Sequence, residues 1–419
     1  MKLDRYIQQI KKHISLFENF TYITVLQLFI MATPLITYPY LVRVLGRELY
    51  GWVITAQVLA SYCSIFIDFG FKAVSARHIS VYRNDPDKLS EIVSAILSLQ
   101  FFIWGVCLFG YVLFVYMISS YREHLMLFLF SFGLTFNELL FPQYYFQGIE
   151  QMKYIAMLNI AIRIIFVVLT FVVIQSADDY LYVPLLSTAG YFIGGICALY
   201  IVFVKHKIHF SPLPFKTIFF YLKDASPIFF TNVICTIKDK LNYLLLGNFV
   251  GMNEVVVYDL GAKFTNVLTK PATVISTVLF PKIAKERNIF LFKKMMILIS
   301  VLIIILVLLL NLFLPDIVHI FIVETIDLFP IRLYTLAPIF LSLGSFIASN
   351  LIVALGYNKY MLHSIIITTF IYLLLLGVFC WFEWLYSVTS FIVLTVLAYL
   401  CEFVYRWIIS LKIIKIERG

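Results

Sequence analysis

The chain has 419 residues, of which 62% are apolar and 13% charged, with a mean hydropathy of +0.96 and a formal net charge of +9. No water-soluble domain hides so large an apolar share, so the composition excludes a soluble enzyme or binding domain and indicates a polytopic membrane protein. The basic residues cluster in loops between apolar runs, which is a mark of topology and excludes a nucleic-acid footprint.

The chain opens on MKLDRYIQQIKKHISLFEN, a basic, amphipathic lead-in without a small-residue cleavage site. Apolar runs long enough for a spanning helix then recur at 20–40, 51–69, 92–118, 125–146, 154–174 and 181–204. Six more follow at 225–250, 255–280, 292–314, 333–355, 361–382 and 386–409. By the ~20-residue criterion this is an all-α protein of about twelve transmembrane helices. A polar linker from Lys205 to Asp224, with Ser211, Pro212 and Pro214, separates two sets of six spans. The expected domains are therefore 1–210 and 211–419, two six-helix bundles in the same orientation, as in parallel repeats. A short echo supports the repeat: YLVRVLGRELYGWVITAQVL in one half and NYLLLGNFVGMNEVVVYDLG in the other each place Leu-Gly just after a span.

Lys and Arg set the orientation. Lys72, Arg77, Arg83 and Lys88, then Lys205, Lys207, Lys216 and Lys223, then Lys282, Lys285, Arg287, Lys293 and Lys294 fall in alternate loops. Lys2, Arg5, Lys11, Lys12, Lys412, Lys415 and Arg418 extend the bias to both ends, whereas the opposite loops hold Arg43, Arg47, Arg122 and Arg332. The positive-inside rule then puts both termini in the cytoplasm. No loop is long enough for a folded extramembrane domain, and no GxxxxGK[ST] motif supplies a nucleotide engine. The six cysteines, Cys63, Cys107, Cys197, Cys235, Cys380 and Cys401, lie in apolar segments without metal or redox spacing and read as small buried hydrophobes. No catalytic set, cofactor or metal site is expected.

Polar side chains inside the spans carry the functional signal. In the second span Gln57, Ser61, Ser64, Asp68 and Lys72 share a helical face, which places Asp68 and Lys72 one turn apart for pairing. The fourth span holds Ser131, Thr135 and Glu138 before a kink-prone Pro142; the fifth holds Asn159, Arg163 and Thr170. The seventh contains Lys238, Asp239 and Lys240 near its middle. In the eighth, Asp259, Lys263, Asn266, Lys270, Thr273 and Thr277 follow at steps of four and three and so line one stripe. Helix–helix bridging accounts for the Ser and Thr positions. A Lys at the centre of a lipid-facing helix costs about 2.5–3.5 kcal/mol, so the cations should face a cavity. Five deep cations, Arg163, Lys238, Lys240, Lys263 and Lys270, face three deep acids, Glu138, Asp239 and Asp259. The surplus suits an anion, and a diphosphate pairs readily with Lys and Arg. Lys263, Lys270, Lys238, Lys240, Arg163 and Asn266 are thus candidate substrate ligands; Asp259, Glu138 and Asp68 are candidates for a coupling ion or a gate. Pro34, Pro39, Pro271 and Pro281 mark places where a helix bends, as a hinge or a static kink.

Three blocks together resemble the bacterial O-antigen (Wzx-type) flippases, in the polysaccharide transporter branch of the multidrug/oligosaccharidyl-lipid/polysaccharide exporter superfamily. They are TPLITYPYLVRVLGRELYGW with IDFGFKAVSARHIS, then FPQYYFQGIEQMKYIAMLNIAIR, then LLLGNFVG with VYDLGAKF. The resemblance implies two six-helix bundles around a central cavity in the bacterial inner membrane. It implies translocation of an undecaprenyl-diphosphate-linked oligosaccharide to the periplasmic leaflet, with the lipid bilayer as partner and polysaccharide polymerase and chain-length machinery as candidate protein partners. Arg43, Gly46, Gly51, Asp68, Gly70, Gln147, Gly148, Glu150, Gly247 and Lys263 match its motif positions, Arg43 and Gly46 at a turn. Two readings of the same fold compete: a multidrug cation antiporter, which needs an acidic cavity, and a peptidoglycan-precursor (lipid II) flippase, against which the span number and the RVLG and FQGIE blocks weigh. A membrane polymerase or ligase would carry a large periplasmic catalytic loop.

Overall fold

The computed structural model describes residues 2–417, with side chains from residue 18 onward except residue 20. The basic side chains of the N-terminal lead-in and Arg418 lie outside the described residues. Among those described every regular element is helical, and eleven helices are long and apolar enough to cross a membrane. The longest, Lys2–Asp68, is interrupted at Gly46, where φ 76° and ψ 165° leave the helical region. Only glycine adopts that geometry without strain. Divided there, the helix supplies the first two expected spans, and the total agrees with the twelve read from hydropathy.

The echo in the second half works differently. Leu246–Gly247 stays inside helix Phe215–Phe249, and the chain turns at Gly251, whose φ is 136°. The backbone N–H of Gly251 donates to the Leu246 carbonyl at 3.0 Å, closing the helix end. Pro34, Pro39, Pro227, Pro271 and Pro281 all lie inside continuous helices. All six cysteines are free thiols; Cys197 and Cys380 are exposed, which corrects the expectation that all are buried. Both sit on long apolar helices, where an outward-facing thiol is compatible with lipid.

The chain forms two units. One comprises Met1–Gly46 and Ala56–Val233, the other Arg47–Thr55 and Ile234–Gly419, so helix Phe215–Phe249 contributes to both. In the first unit, helix Phe71–Val81 packs on Gln143–Gly148, and Phe71, Ile79, Val93, Ile96 and Phe146 are fully buried between them and their neighbours. Two left-handed residues, Phe69 (φ 46°) and Gly70 (φ 80°), end the second span before this helix begins. The fourth span is broken as Pro142 suggests: Leu125–Phe132, a tight turn at Gly133–Thr135, Phe136–Leu140, then Gln143–Gly148.

In the second unit, helices Met252–Glu286, Ile289–Leu312, Ala337–Ile347 and Val388–Ile416 bury Ile283, Ile299, Phe346, Ile347 and Ile413. The Ala337–Ile347 helix widens into a π-helical segment at Ala348–Val353. Gly51 belongs to this unit, and its missing side chain is a packing requirement. A Cβ there would collide with the Met252 carbonyl and stand 3.0 Å from the Met252 Cβ. Gly51→Ala should therefore destabilise the protein by about 1–3 kcal/mol, as overpacking does. The contrast is Gly105→Ala, at a helical position with open space around it. That change should be neutral or raise the melting temperature. Thermal unfolding of the two variants in one detergent checks the pair; equal melting temperatures would refute the close approach.

Candidate functional site

The second unit gathers its charges where three helices meet. Helix Phe215–Phe249 brings Lys238, Asp239 and Lys240, and helix Val388–Ile416 brings Glu402 and Arg406. Glu402 accepts from the Lys238 ammonium, and its other oxygen lies 2.5 Å from the Arg406 guanidinium. Glu402 and Arg406 are only 7% and 4% exposed, so one carboxylate holds two cations in a poorly hydrated place. The Arg406 Nε donates to Ser364 Oγ at 3.3 Å, and the Lys238 Nζ stands 5.3 Å from the Tyr399 ring centre. Asp239 is exposed, 3.9 Å from Lys238, and accepts from the Tyr399 hydroxyl at 3.5 Å; Lys240 follows, half-buried.

One turn further, Asn242 is buried in a network of its own. Its amide donates to Thr395 Oγ1 at 2.8 Å and to the Tyr258 hydroxyl at 3.2 Å, and its oxygen accepts from Tyr372 at 2.6 Å. Every polar group of that side chain is satisfied, which ties together four helices, Phe215–Phe249, Met252–Glu286, Asn358–Trp381 and Val388–Ile416.

On helix Met252–Glu286 the expected stripe is present but graded. Asp259 and Lys263 form the one-turn ion pair that their spacing suggests, and the Tyr243 hydroxyl donates to Asp259 at 3.2 Å. Beyond them Asn266, Thr273 and Thr277 are exposed, with Lys270 half-buried between. The Thr273 and Thr277 hydroxyls donate back to the carbonyls of Thr269 and Thr273 at 3.1 and 2.9 Å.

In the first unit the expected pairing of Lys72 with Asp68 is corrected. The left-handed residues 69 and 70 end the helix between them, so the four-residue spacing no longer stacks the two side chains. The Lys72 ammonium instead meets Glu138 at 2.5 Å, while Asp68 accepts from the Lys72 backbone N–H at 3.4 Å. Arg163 lines a cavity of about 410 Å³ with Gln27, Asn137, Gln143, Gln147 and Asn159, and its buried Nε has no hydrogen-bond partner. A guanidinium among amides, with no carboxylate in the lining, is an environment for an anion.

The count of five deep cations and three deep acids is therefore incomplete, because it omits both Glu402 and its second cation, Arg406; with the two added the surplus of cations is unchanged. Lys238 pairs with Glu402, which Arg406 shares, Lys263 pairs with Asp259 and Lys72 with Glu138. Among the described residues, Arg163 and Lys270 have no carboxylate within ion-pairing distance. The matched motif residues serve mainly as architecture. Glu150 has φ 60°, pairs with Arg83 at 2.7 Å, and its carbonyl accepts from Asn19 at 2.9 Å; Asn19 also accepts from the Met152 N–H at 3.2 Å. Gln147, by contrast, lines the Arg163 cavity, and Arg43 is exposed.

Residues 16–287 match a family described as polysaccharide biosynthesis protein. A protein of Escherichia coli (strain K12) named "Putative O-antigen transporter" is 24% identical over 295 residues, 69% of this chain and 71% of that protein. One of the same name from Shigella dysenteriae is 25% identical over 255 residues, 60% of this chain and 63% of that protein. Among solved structures, an inward-facing multidrug resistance MATE family transporter of the MOP superfamily superposes with a TM-score of 0.73 at 14% identity, covering 93% of this chain and 96% of its own. The lipid II flippase MurJ in an inward closed conformation superposes with a TM-score of 0.60 at 15% identity, covering 92% and 87%. At these identities the structural likeness speaks for the fold alone, an all-α, many-helix membrane fold shared with those two proteins.

Proposed function

This chain belongs to the polysaccharide biosynthesis protein family, and on that premise we propose that it flips an undecaprenyl-diphosphate-linked O-antigen or polysaccharide repeat unit. The cargo passes from the cytoplasmic to the periplasmic leaflet of the inner membrane by alternating access, without a covalent change. Both termini are cytoplasmic, on the basis of the loop charges. The observation that carries this reading is that two cations, Lys270 in the second unit and Arg163 in the first, have no carboxylate partner among the described residues. An intramembrane cation that its own protein does not neutralise calls for an anionic cargo. In the second unit Lys263, Lys238, Lys240 and Asn266 join Lys270 as proposed diphosphate ligands, with Lys238 and Lys263 exchanging Glu402 and Asp259 for substrate; Arg163 is the proposed anion ligand of the first unit. Asp259, Glu138 and Asp68 are the proposed gate or coupling-ion residues.

The test is the melting temperature of the purified protein in neutral detergent, with a prenyl-diphosphate oligosaccharide or with a lipophilic cation. A ligand that binds only the folded state stabilises it by about 2.7 kcal/mol at a hundredfold excess over Kd. The diphosphate lipid should raise the melting temperature, and Lys270→Gln should remove the rise. A rise with the cation alone would transfer the protein to the multidrug antiporters.

A further inference from the structure

Below Lys270 the stripe runs into a cavity of about 220 Å³ between helix Met252–Glu286 and the Ala337–Ile347 helix with its π-helical extension. Its polar lining includes Thr273, Ser276, Thr277, Ser342, Ser345 and Ser349, and no lining residue is ionisable. Ser342 is 3% exposed and its Oγ has no hydrogen-bond partner. Asn350, fully buried behind the wall, donates to Ser276 Oγ at 2.5 Å and keeps its own Oδ1 without a partner. A buried hydroxyl left unsatisfied costs about 1–3 kcal/mol, so such groups mark a place where a ligand completes the bonding. π-Helical turns inside α-helices are enriched at functional sites for a related reason: they displace backbone carbonyls from the helical ladder.

The lining selects the chemistry. Hydroxyls without charge favour a neutral ligand that both donates and accepts, and Ala272, Leu341 and Phe346 add an apolar patch. A sugar ring presents that combination, hydroxyls at its rim and C–H groups on its face. Drug-sized ligands occupy about 300–1,000 Å³, so this smaller cavity holds one ring. Thr273 and Thr277 lie three and seven residues beyond Lys270, about 4.5 and 10.5 Å along the axis at 1.5 Å per residue. A ring bonded directly to a phosphate held at Lys270 reaches that depth. Resting on the flippase reading, we propose that this cavity is the subsite for the sugar attached to the diphosphate, with Ser342 as a specificity-determining residue for a neutral hexose.

The test titrates the full-length protein in detergent with two probes, a prenyl diphosphate bearing one neutral hexose and the same prenyl diphosphate without sugar. Wild type should bind the sugar-bearing lipid more tightly. Ser342→Ala, and separately Ser345→Leu at an exposed lining position, should each weaken that lipid about tenfold. The sugar-free lipid should bind both variants as it binds wild type, and lose affinity only in Lys270→Gln. Equal losses for both lipids, or none for either, overturn the subsite while leaving the flippase reading in place. A sodium-dependent melting temperature abolished by Ser342→Ala, without preference for the sugar-bearing lipid, overturns it in favour of a cation site. A wild type that binds neither lipid removes both readings together.

Discussion

Glu402→Gln is expected to lower the stability of the protein by about 3–5 kcal/mol, the range for removing one partner of a buried ion pair. The carboxylate serves two cations, Lys238 and Arg406, and all three groups are largely shielded from water. Without it, two like charges face each other across the site, with Ser364 and Asp239 as their remaining polar company. Denaturant unfolding in detergent measures the loss. The double variant Glu402→Gln/Arg406→Met should recover part of it, since it removes one of the stranded charges, and the two changes should be clearly non-additive. A loss below about 1 kcal/mol, typical of exposed pairs, would mean that water reaches the cluster.

Lys263→Met should abolish surface polysaccharide in a complemented strain and also lower the amount of protein. The second effect follows from Asp259, which is 7% exposed and would lose its cation while keeping the Tyr243 hydroxyl. Adding Asp259→Asn removes the stranded charge, so the double variant should return to normal protein level while polysaccharide stays absent. Lys270→Gln should separate the two effects directly, with loss of polysaccharide at unchanged level, because Lys270 pairs with no carboxylate among the described residues. Immunoblots alongside polysaccharide staining read both quantities. Normal polysaccharide in Lys270→Gln and in the double variant would leave the stripe without a role in transport.

The features that the sequence discloses are those set by local periodicity. Hydropathy locates the spans because length and apolarity are properties of each segment alone. The stripe of helix Met252–Glu286 that begins at Asp259 and ends at Thr277 is legible for the same reason, three- and four-residue steps being fixed by helix geometry. The same rule misplaces Lys72, since it presumes an unbroken helix and Phe69–Gly70 is left-handed. Glu402 escapes notice because its partner Lys238 is 164 positions away; its only local signal is the four-residue step to Arg406 in an otherwise apolar run. The Asn242 network is equally non-local, drawing on Tyr258, Tyr372 and Thr395. The unpaired Ser342 hydroxyl has no sequence signature, because satisfaction is a property of neighbours.

The division of helix Phe215–Phe249 between the two units has a consequence for biosynthesis. The first unit's core includes Tyr221 and Ala225, and Asp224 pairs there with Arg77 and His78 at 3.1 and 2.8 Å. A nascent chain that has inserted its first six spans still lacks those contacts, and its core stays open until the seventh has left the ribosome. Arg47–Thr55 meanwhile waits longer, since Met252 and Glu324, against which Gly51 and Arg47 rest, are translated about 200 and about 280 residues later, respectively. A gene severed at the codon for residue 214 would thus yield a first polypeptide that membrane quality control sees as unfinished, and only joint expression with the remainder would spare it.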